Sequence, residues 1–159
     1  MDVSRQETFC QFLKEQGFPI ANTYDSGQVL FRCEGNHYLA QFHPDHPERF
    51  ALALPAFWEL DDAEEEARAL TAANTVHQRT FGTTVVCVDQ SVWAFAELFL
   101  ANPAQDLEKV FNSALKGLQR AAQFFVSLML KGEPAHLHAN GSSSLPAPSG
   151  NGTPVGGYL

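Results

Sequence analysis

The sequence has few positively charged residues, few cysteines and no long apolar run. Lys and Arg together number 10 among 159 residues, against 18 Asp and Glu, so the formal net charge is −8. Such an acidic chain lacks the cationic surface that attracts nucleic acid or an anionic membrane, and neither is predicted as a partner. Apolar residues make up 45% of the chain, which suffices for a folded core and excludes general disorder.

Targeting signals are also missing from the sequence. The first residues, Met1 to Arg5, do not combine a cationic stretch with an apolar run, so no signal peptide is predicted. The longest apolar candidate, Ala121 to Leu130, is shorter than the roughly 20 residues of a membrane span. The three cysteines are too widely spaced for a disulfide framework or a metal knuckle (Cys10, Cys33 and Cys87). These features predict reduced thiols in a cytoplasmic protein.

Apolar periodicity and turn residues predict an α+β domain in the order α-β-β-β-α-β-β-α. The predicted helices are Ser4–Gln16, Asp61–Gln78 and Asn102–Leu130; the predicted strands are Val29–Glu34, His37–Phe42, Phe50–Trp58, Thr83–Val88 and Val92–Leu98. Tight turns at Gly35-Asn36 and Asp89-Gln90 force antiparallel neighbours. The sequence therefore predicts an antiparallel sheet of about five strands with the helices packed against it.

Several local signals refine this prediction. Ser4 and Glu7 have capping-box spacing, and Asp61 with Glu64 predicts the start of the second helix. Pro55 lacks an N–H and predicts an edge strand or a bulge. The strand Thr83–Val88 is almost equally apolar on both sides, which predicts that both of its faces are covered.

The last predicted helix carries more apolar surface than one sheet face can bury. Beside its heptad-like stripe lie four further apolar residues, Val110, Leu115, Phe124 and Met129. Because an exposed patch of that size is unusual on a monomer, this additional apolar surface predicts a homodimer. The contact is expected on this helix or on an edge strand such as Val92–Leu98.

Composition changes sharply after residue 131. Residues 132–159 contain six Gly and four Pro among 28 residues, and Glu133 is their only charged side chain. Such a segment offers almost no apolar anchors. We therefore predict a folded domain over residues 1–131 and a flexible tail over 132–159.

The order of elements resembles that of the bacterial YbjN-type proteins, which are similar in fold to type III secretion chaperones. The resemblance rests on topology over Glu7 to Leu130, the pair Ala73-Asn74, the following Phe81-Gly82 and the long amphipathic last helix. It implies helices packed on an antiparallel sheet and, from the secretion chaperones, a homodimer that binds extended segments of partner proteins. It supplies no catalytic residue.

Two classes of site are weighed from the residues. Trp58, Trp93, Phe95 and Phe124 are candidates for a partner-binding surface, the alternative being core packing. The region His37–Glu48 holds three histidines and two carboxylates, and predicts a small-ligand or metal site as the alternative function. Its spacing fits no common metal site, so neither a metal nor a cofactor is predicted.

No spacing typical of a nucleotide-binding loop or a serine nucleophile occurs in the chain. The sequence therefore predicts a non-enzymatic protein-binding module, chaperone-like or regulatory, that acts as a homodimer on another protein.

Overall fold

The computed structural model describes residues 3–43, 45–46 and 48–131. In chain order the elements are α1 (Val3–Glu15), β1 (Ile20–Thr23), β2 (Val29–Cys33), β3 (Asn36–Phe42), β4 (Arg49–Glu59), α2 (Ala63–Arg79), β5 (Thr84–Val88), β6 (Ser91–Phe99) and α3 (Pro103–Leu130). The tail prediction for 132–159 lies outside the described residues.

All described strands form one antiparallel sheet in the order β1-β2-β3-β4-β6-β5. The α+β class is confirmed, but the sheet has six strands where the sequence predicted about five. The additional strand is β1, which has only four residues and is mostly exposed. A strand this short and solvent-exposed does not show the alternation of apolar and polar residues by which strands are predicted from sequence.

Of the two predicted hairpin turns, one lies where it was predicted and the other is shifted by one residue. The β2–β3 turn is centred on Glu34 and Gly35, with φ of 49° and 82°, and not on Gly35-Asn36. Two positive φ angles are typical of the type I′ turn, whose twist matches that of the flanking strands. The predicted Asp89-Gln90 turn between β5 and β6 is confirmed.

Pro55 lies in a central strand and not at an edge. β4 pairs with both β3 and β6, and its register shifts between Leu54 and Trp58, so the bulge alternative is the correct one. The bulge removes Pro55 from the ladder, which explains how a residue without an N–H is accommodated there. β6 is also internal, so the predicted edge strand Val92–Leu98 is wrong.

Two helix starts differ from the predictions by one or two residues. α1 begins at Val3, so Ser4 lies inside the helix and is not its N-cap. The N-cap of α2 is Asp62 and not Asp61, and its carboxylate accepts the Glu65 N–H at 2.8 Å. The third helical residue is therefore Glu65, not Glu64, and its carboxylate accepts the backbone N–H of Asp61 just before the N-cap.

The core lies between one face of the sheet and the helices. Phe9 of α1 contacts Phe50 of β4 at 5.5 Å and Phe111 of α3 at 5.9 Å between ring centroids. α2 closes the outer edge of β5, where His77 Nε2 accepts the Val85 N–H at 2.7 Å. The helices and this face of the sheet enclose one aromatic-rich core.

The surplus apolar surface of α3 is largely covered within the single chain. Leu115 and Met129 are only 5% and 7% exposed, and Val110 and Phe124 pack against the core while half-buried. α1 provides the cover that the sequence argument lacked, with the Phe12 ring 5.3 Å from that of Phe111. The prediction that α3 needs a second chain to bury these residues is therefore wrong.

Candidate interaction surface

The face of the sheet opposite the helices is apolar and has no cover among the described residues. We call it the open face and define it by seven residues from five strands: Leu30, Leu39, Ala51, Ala53, Val86, Trp93 and Phe95. All of them lie outside the core cluster, and all but Ala53 are half-buried. Side chains alternate between the two sides of a strand, so these residues lie between the core positions.

Strand pairing places the open face in a continuous row. Leu30 lies opposite Leu39, Leu39 opposite Ala53, and Ala53 opposite Phe95. Directly opposed side chains lie about 5 Å apart at Cβ, so the row is a contiguous apolar strip across four strands. Ala53 is only 5% exposed because its larger neighbours shield it within the sheet.

Trp93 and Phe95 form the aromatic end of the open face. Their ring centroids are 5.9 Å apart with an interplanar angle of 15°, so the rings are stacked along β6. The indole N–H of Trp93 donates to Ser91 Oγ at 2.9 Å, which fixes the ring and satisfies its one polar atom. A rigid aromatic pair with little conformational entropy left to lose is typical of protein-binding anchors.

The border of the open face is polar. Arg49 lies over the Phe99 ring at 5.4 Å, and Phe99 is 68% exposed. Gln28 donates to Gln41 at 3.1 Å on the neighbouring strands. An apolar centre with a polar border is the usual organisation of a protein–protein interface.

The other two predicted partner-binding residues lie on the helix side of the molecule. Trp58 packs against Phe125 at 6.2 Å and donates its indole N–H to Glu65 at 3.0 Å. Phe124 packs on the core beneath the Arg79 guanidinium at 5.9 Å. Of the four candidates, the structure therefore brings together only Trp93 and Phe95.

The histidine region does not assemble a ligand set within the described residues. His43 and His46 have ring centroids 4.9 Å apart, and His46 Nδ1 lies 3.3 Å from Glu48 Oε1. His37 is the second residue of β3, and the five strand residues between it and His43 hold the two histidines roughly 20 Å apart. Among the residues described, no group of three His, Cys, Asp or Glu is placed to hold a metal ion.

The cysteines are free, half-buried thiols. Burial raises the pKa of Cys10, Cys33 and Cys87, with nearby carboxylates adding to the effect at Cys33 and Cys87. A raised pKa reduces the thiolate fraction at neutral pH and therefore the nucleophilicity of the group.

The cavities are open depressions and not enclosed pockets. A cleft of about 720 Å³ runs between α1 and the start of α3, lined by Phe12 and Leu107 together with Glu7, Glu15 and Glu108. A smaller depression of about 240 Å³ borders the open face between Arg49 and Glu97. Small-molecule sites bury most of their ligand, which open depressions of this kind do not.

None of the helices within the described residues is long and apolar enough to cross a membrane. Comparison of the chain with protein-family models, curated proteins and solved structures finds no match to any of them. The resemblance to YbjN-type proteins therefore remains a prediction.

Sequence reasoning found the aromatic end of the open face and missed its aliphatic part. The signal was present in Thr83–Val88, whose two apolar sides indicated two covered faces. Its second side, with Val86 of the open face and the 36% exposed Val88, is not covered, so the prediction that both faces of this strand are covered is wrong. Leu30 in β2 and Leu39 in β3 alternate with core positions. Nothing in the sequence distinguishes them from other apolar strand residues, so they were not predicted as part of a surface.

Proposed function

We propose that this chain is a non-enzymatic protein-binding module, chaperone-like or regulatory, and that the open face is its binding surface. The observation that carries the proposal is the contiguous row Leu30–Leu39–Ala53–Phe95, extended by Trp93 and left without cover by the described residues. An exposed contiguous apolar patch rimmed by polar residues marks protein–protein interaction sites on soluble proteins.

The chemistry of the remaining surface supports binding over catalysis. The thiols have raised pKa values, and the histidines are spread along β3 and the loop that follows it. Free thiols are also typical of a reducing compartment, so we place the protein in the cytoplasm. The resemblance to YbjN-type proteins, which are described as regulatory, agrees with this assignment without identifying a partner.

Site-specific photo-crosslinking in intact bacterial cells tests the proposal. A photo-reactive phenylalanine analogue replaces Phe95 in one version of the chain and Leu70 in a matched control. Leu70 is 54% exposed on α2, so both probes are accessible but only one lies on the open face. We expect protein adducts above the 17.5 kDa chain from position 95 and few from position 70. Equal adduct yields from both positions would contradict an interaction surface on the open face.

A further inference from the structure

The geometry points to a second copy of this chain as the occupant of the open face, packed sheet against sheet about a two-fold axis. This inference rests on the proposed function and names the partner of the same surface. Its first support is the order of side-chain sizes along the row, where the leucines Leu30 and Leu39 occupy one half and Ala53 and Phe95 the other.

The row Leu30–Leu39–Ala53–Phe95 can pack against a second copy of itself that runs in the opposite direction. With a two-fold axis parallel to the strands and between β3 and β4, each Leu39 faces the Ala53 of the other copy. Ala53 is the smallest side chain of the row and is shielded by its neighbours, so the opposing leucine meets no protruding side chain there and the layers can approach the roughly 10 Å spacing of packed sheets. Leu30 then faces Phe95 one strand farther from the axis, so these two larger side chains meet on either side of the central contact.

The charges on this side of the sheet also suit a second copy. The whole chain carries −8, so two copies repel over most of their surface. On the open side the register places two cations, Arg32 and Arg49, and two carboxylates, Glu59 and Glu97. Because these formal charges cancel, the open side is where two acidic chains can meet without net repulsion. The open side has no net formal charge with which to attract a strongly charged partner.

The available area matches the requirement of a stable dimer. Six strands at a spacing of about 4.8 Å make the sheet about 24 Å wide, and the central strands β3, β4 and β6, with 7, 11 and 9 residues at about 3.3 Å each, run roughly 23 to 36 Å. Burying this face on two copies removes on the order of 1,200 Å² of accessible surface, the lower end of the range for specific interfaces.

The sheet edges are poor alternatives for self-association. The β5 edge is closed by α2, whose His77 accepts the Val85 N–H at 2.7 Å. On the opposite edge, β1 is four residues long, and Asn22 Oδ1 accepts the Thr23 N–H at 2.9 Å. Short or covered edges prevent strand addition. The apolar area that remains for pairing is therefore the open face.

Analytical ultracentrifugation at micromolar concentration tests the inference. We expect the wild-type chain to sediment at twice its 17.5 kDa mass. Leu39→Glu places a carboxylate in the centre of the contact, so we expect a dissociation constant at least about 100-fold weaker, because an unpaired buried charge is costly. The matched control Leu70→Glu makes the same change on α2 and should leave the mass doubled.

A second variant keeps the test valid if Leu39→Glu does not fold. In Ala51→Lys, the long side chain can reach water in a single chain but collides with an opposing sheet. We expect this variant to keep its circular dichroism spectrum and to sediment as one chain. A single-chain mass for the wild type, or a doubled mass for the folded Leu39→Glu and Ala51→Lys variants, would overturn the inference.

The two proposals fail separately. A monomeric wild type that still gives adducts from position 95 in cells would remove the second copy and keep the open face as a protein-binding surface. The absence of adducts from position 95 would remove both proposals.

Discussion

Ala56 adopts a left-handed backbone conformation in the β4 bulge, with φ of 44°, and its side chain is exposed. Glycine reaches this region without the steric cost that a Cβ atom imposes. We expect Ala56→Gly to raise the free energy of unfolding by about 1 kcal/mol in urea titrations, since the relieved strain exceeds the added chain entropy.

The matched control is Ala67→Gly, the same change at an exposed position inside α2. In a helix interior this substitution costs about 1 kcal/mol. Opposite signs at the two positions would confirm that Ala56 is strained. A loss of stability at Ala56 comparable to that at Ala67 would contradict the assignment.

Tyr38 provides a second prediction at the residue scale. Its side chain is fully buried, and the hydroxyl makes no hydrogen bond of good geometry within the described part of the chain, although the Gln119 amide lies near enough to oppose part of the rise in the Tyr38 pKa. The nearby Gln119 amide donates to Glu34 at 3.2 Å and to Cys33 Sγ at 3.8 Å. Burial raises the pKa of Tyr38, which keeps the hydroxyl neutral.

Removing this hydroxyl relieves an unpaired buried polar group. We expect Tyr38→Phe to leave the unfolding free energy within about 1 kcal/mol of wild type or to raise it. Chemical denaturation measures the change, with Tyr24→Phe as a control at a 40% exposed position. A loss well above 1 kcal/mol would show that the hydroxyl has a partner in solution.

At the scale of elements, the start of α2 is joined to β4 through Glu65. Its carboxylate accepts the Asp61 backbone N–H at 2.8 Å and the Trp58 indole N–H at 3.0 Å. These two hydrogen bonds, the backbone one first, lower the pKa of Glu65. A carboxyl whose pKa is lowered in the folded state stabilises the fold above its unfolded pKa, and loses that contribution as pH falls through the folded value.

We therefore expect Glu65→Gln to lower the melting temperature more at neutral pH than in strong acid. Thermal unfolding followed by circular dichroism at both pH values measures the difference. Glu64→Gln removes the same charge from the same helical turn and serves as the control. If both variants show the same loss at both pH values, the Glu65 hydrogen bonds do not stabilise the start of α2.

Most elements could be predicted from the sequence, because their signals are local. Periodicity identifies α3, whose N-terminus is set by Asn102 and Pro103, and the turn at Asp89 identifies a hairpin. Which strands lie at the edges is not local information. β4 is central because β6, which follows it in the sequence only after α2 and β5, pairs beside it. Pro55 alone could not distinguish this central, bulged strand from an edge strand.

The candidate surface was harder to predict than the fold, for a related reason. The alternation along a strand shows that Leu39 and Val86 lie on the face of the sheet that does not carry the core residues. It does not show whether another element covers that face. That depends on where three helices pack, and all of them leave the same side of the sheet bare. The aromatic pair of Trp93 and Phe95 could be predicted because two large rings two residues apart share one face of a strand.

At the scale of the whole molecule, the described core closes without the residues that follow Lys131. The sheet and helices account for one continuous cluster of buried residues, with Phe125 and Met129 among those nearest the end of α3. We expect truncation after Lys131 to change the melting temperature by no more than a few degrees, because residues 132–159 contain few apolar anchors. A drop of many degrees in differential scanning calorimetry would show that this segment packs on the domain.

The two tryptophans report separately on the two sides of the sheet, because Trp93 lies on the open face and Trp58 on the helix side. Acrylamide quenching of Trp58→Phe, in which Trp93 is the remaining tryptophan, therefore measures directly whether a second copy covers the open face. The account predicts that quenching of Trp93 falls severalfold as the protein concentration rises through the micromolar range. In the control Trp93→Phe, quenching of Trp58 should not change. Quenching of Trp93 that is the same at every concentration would contradict the account.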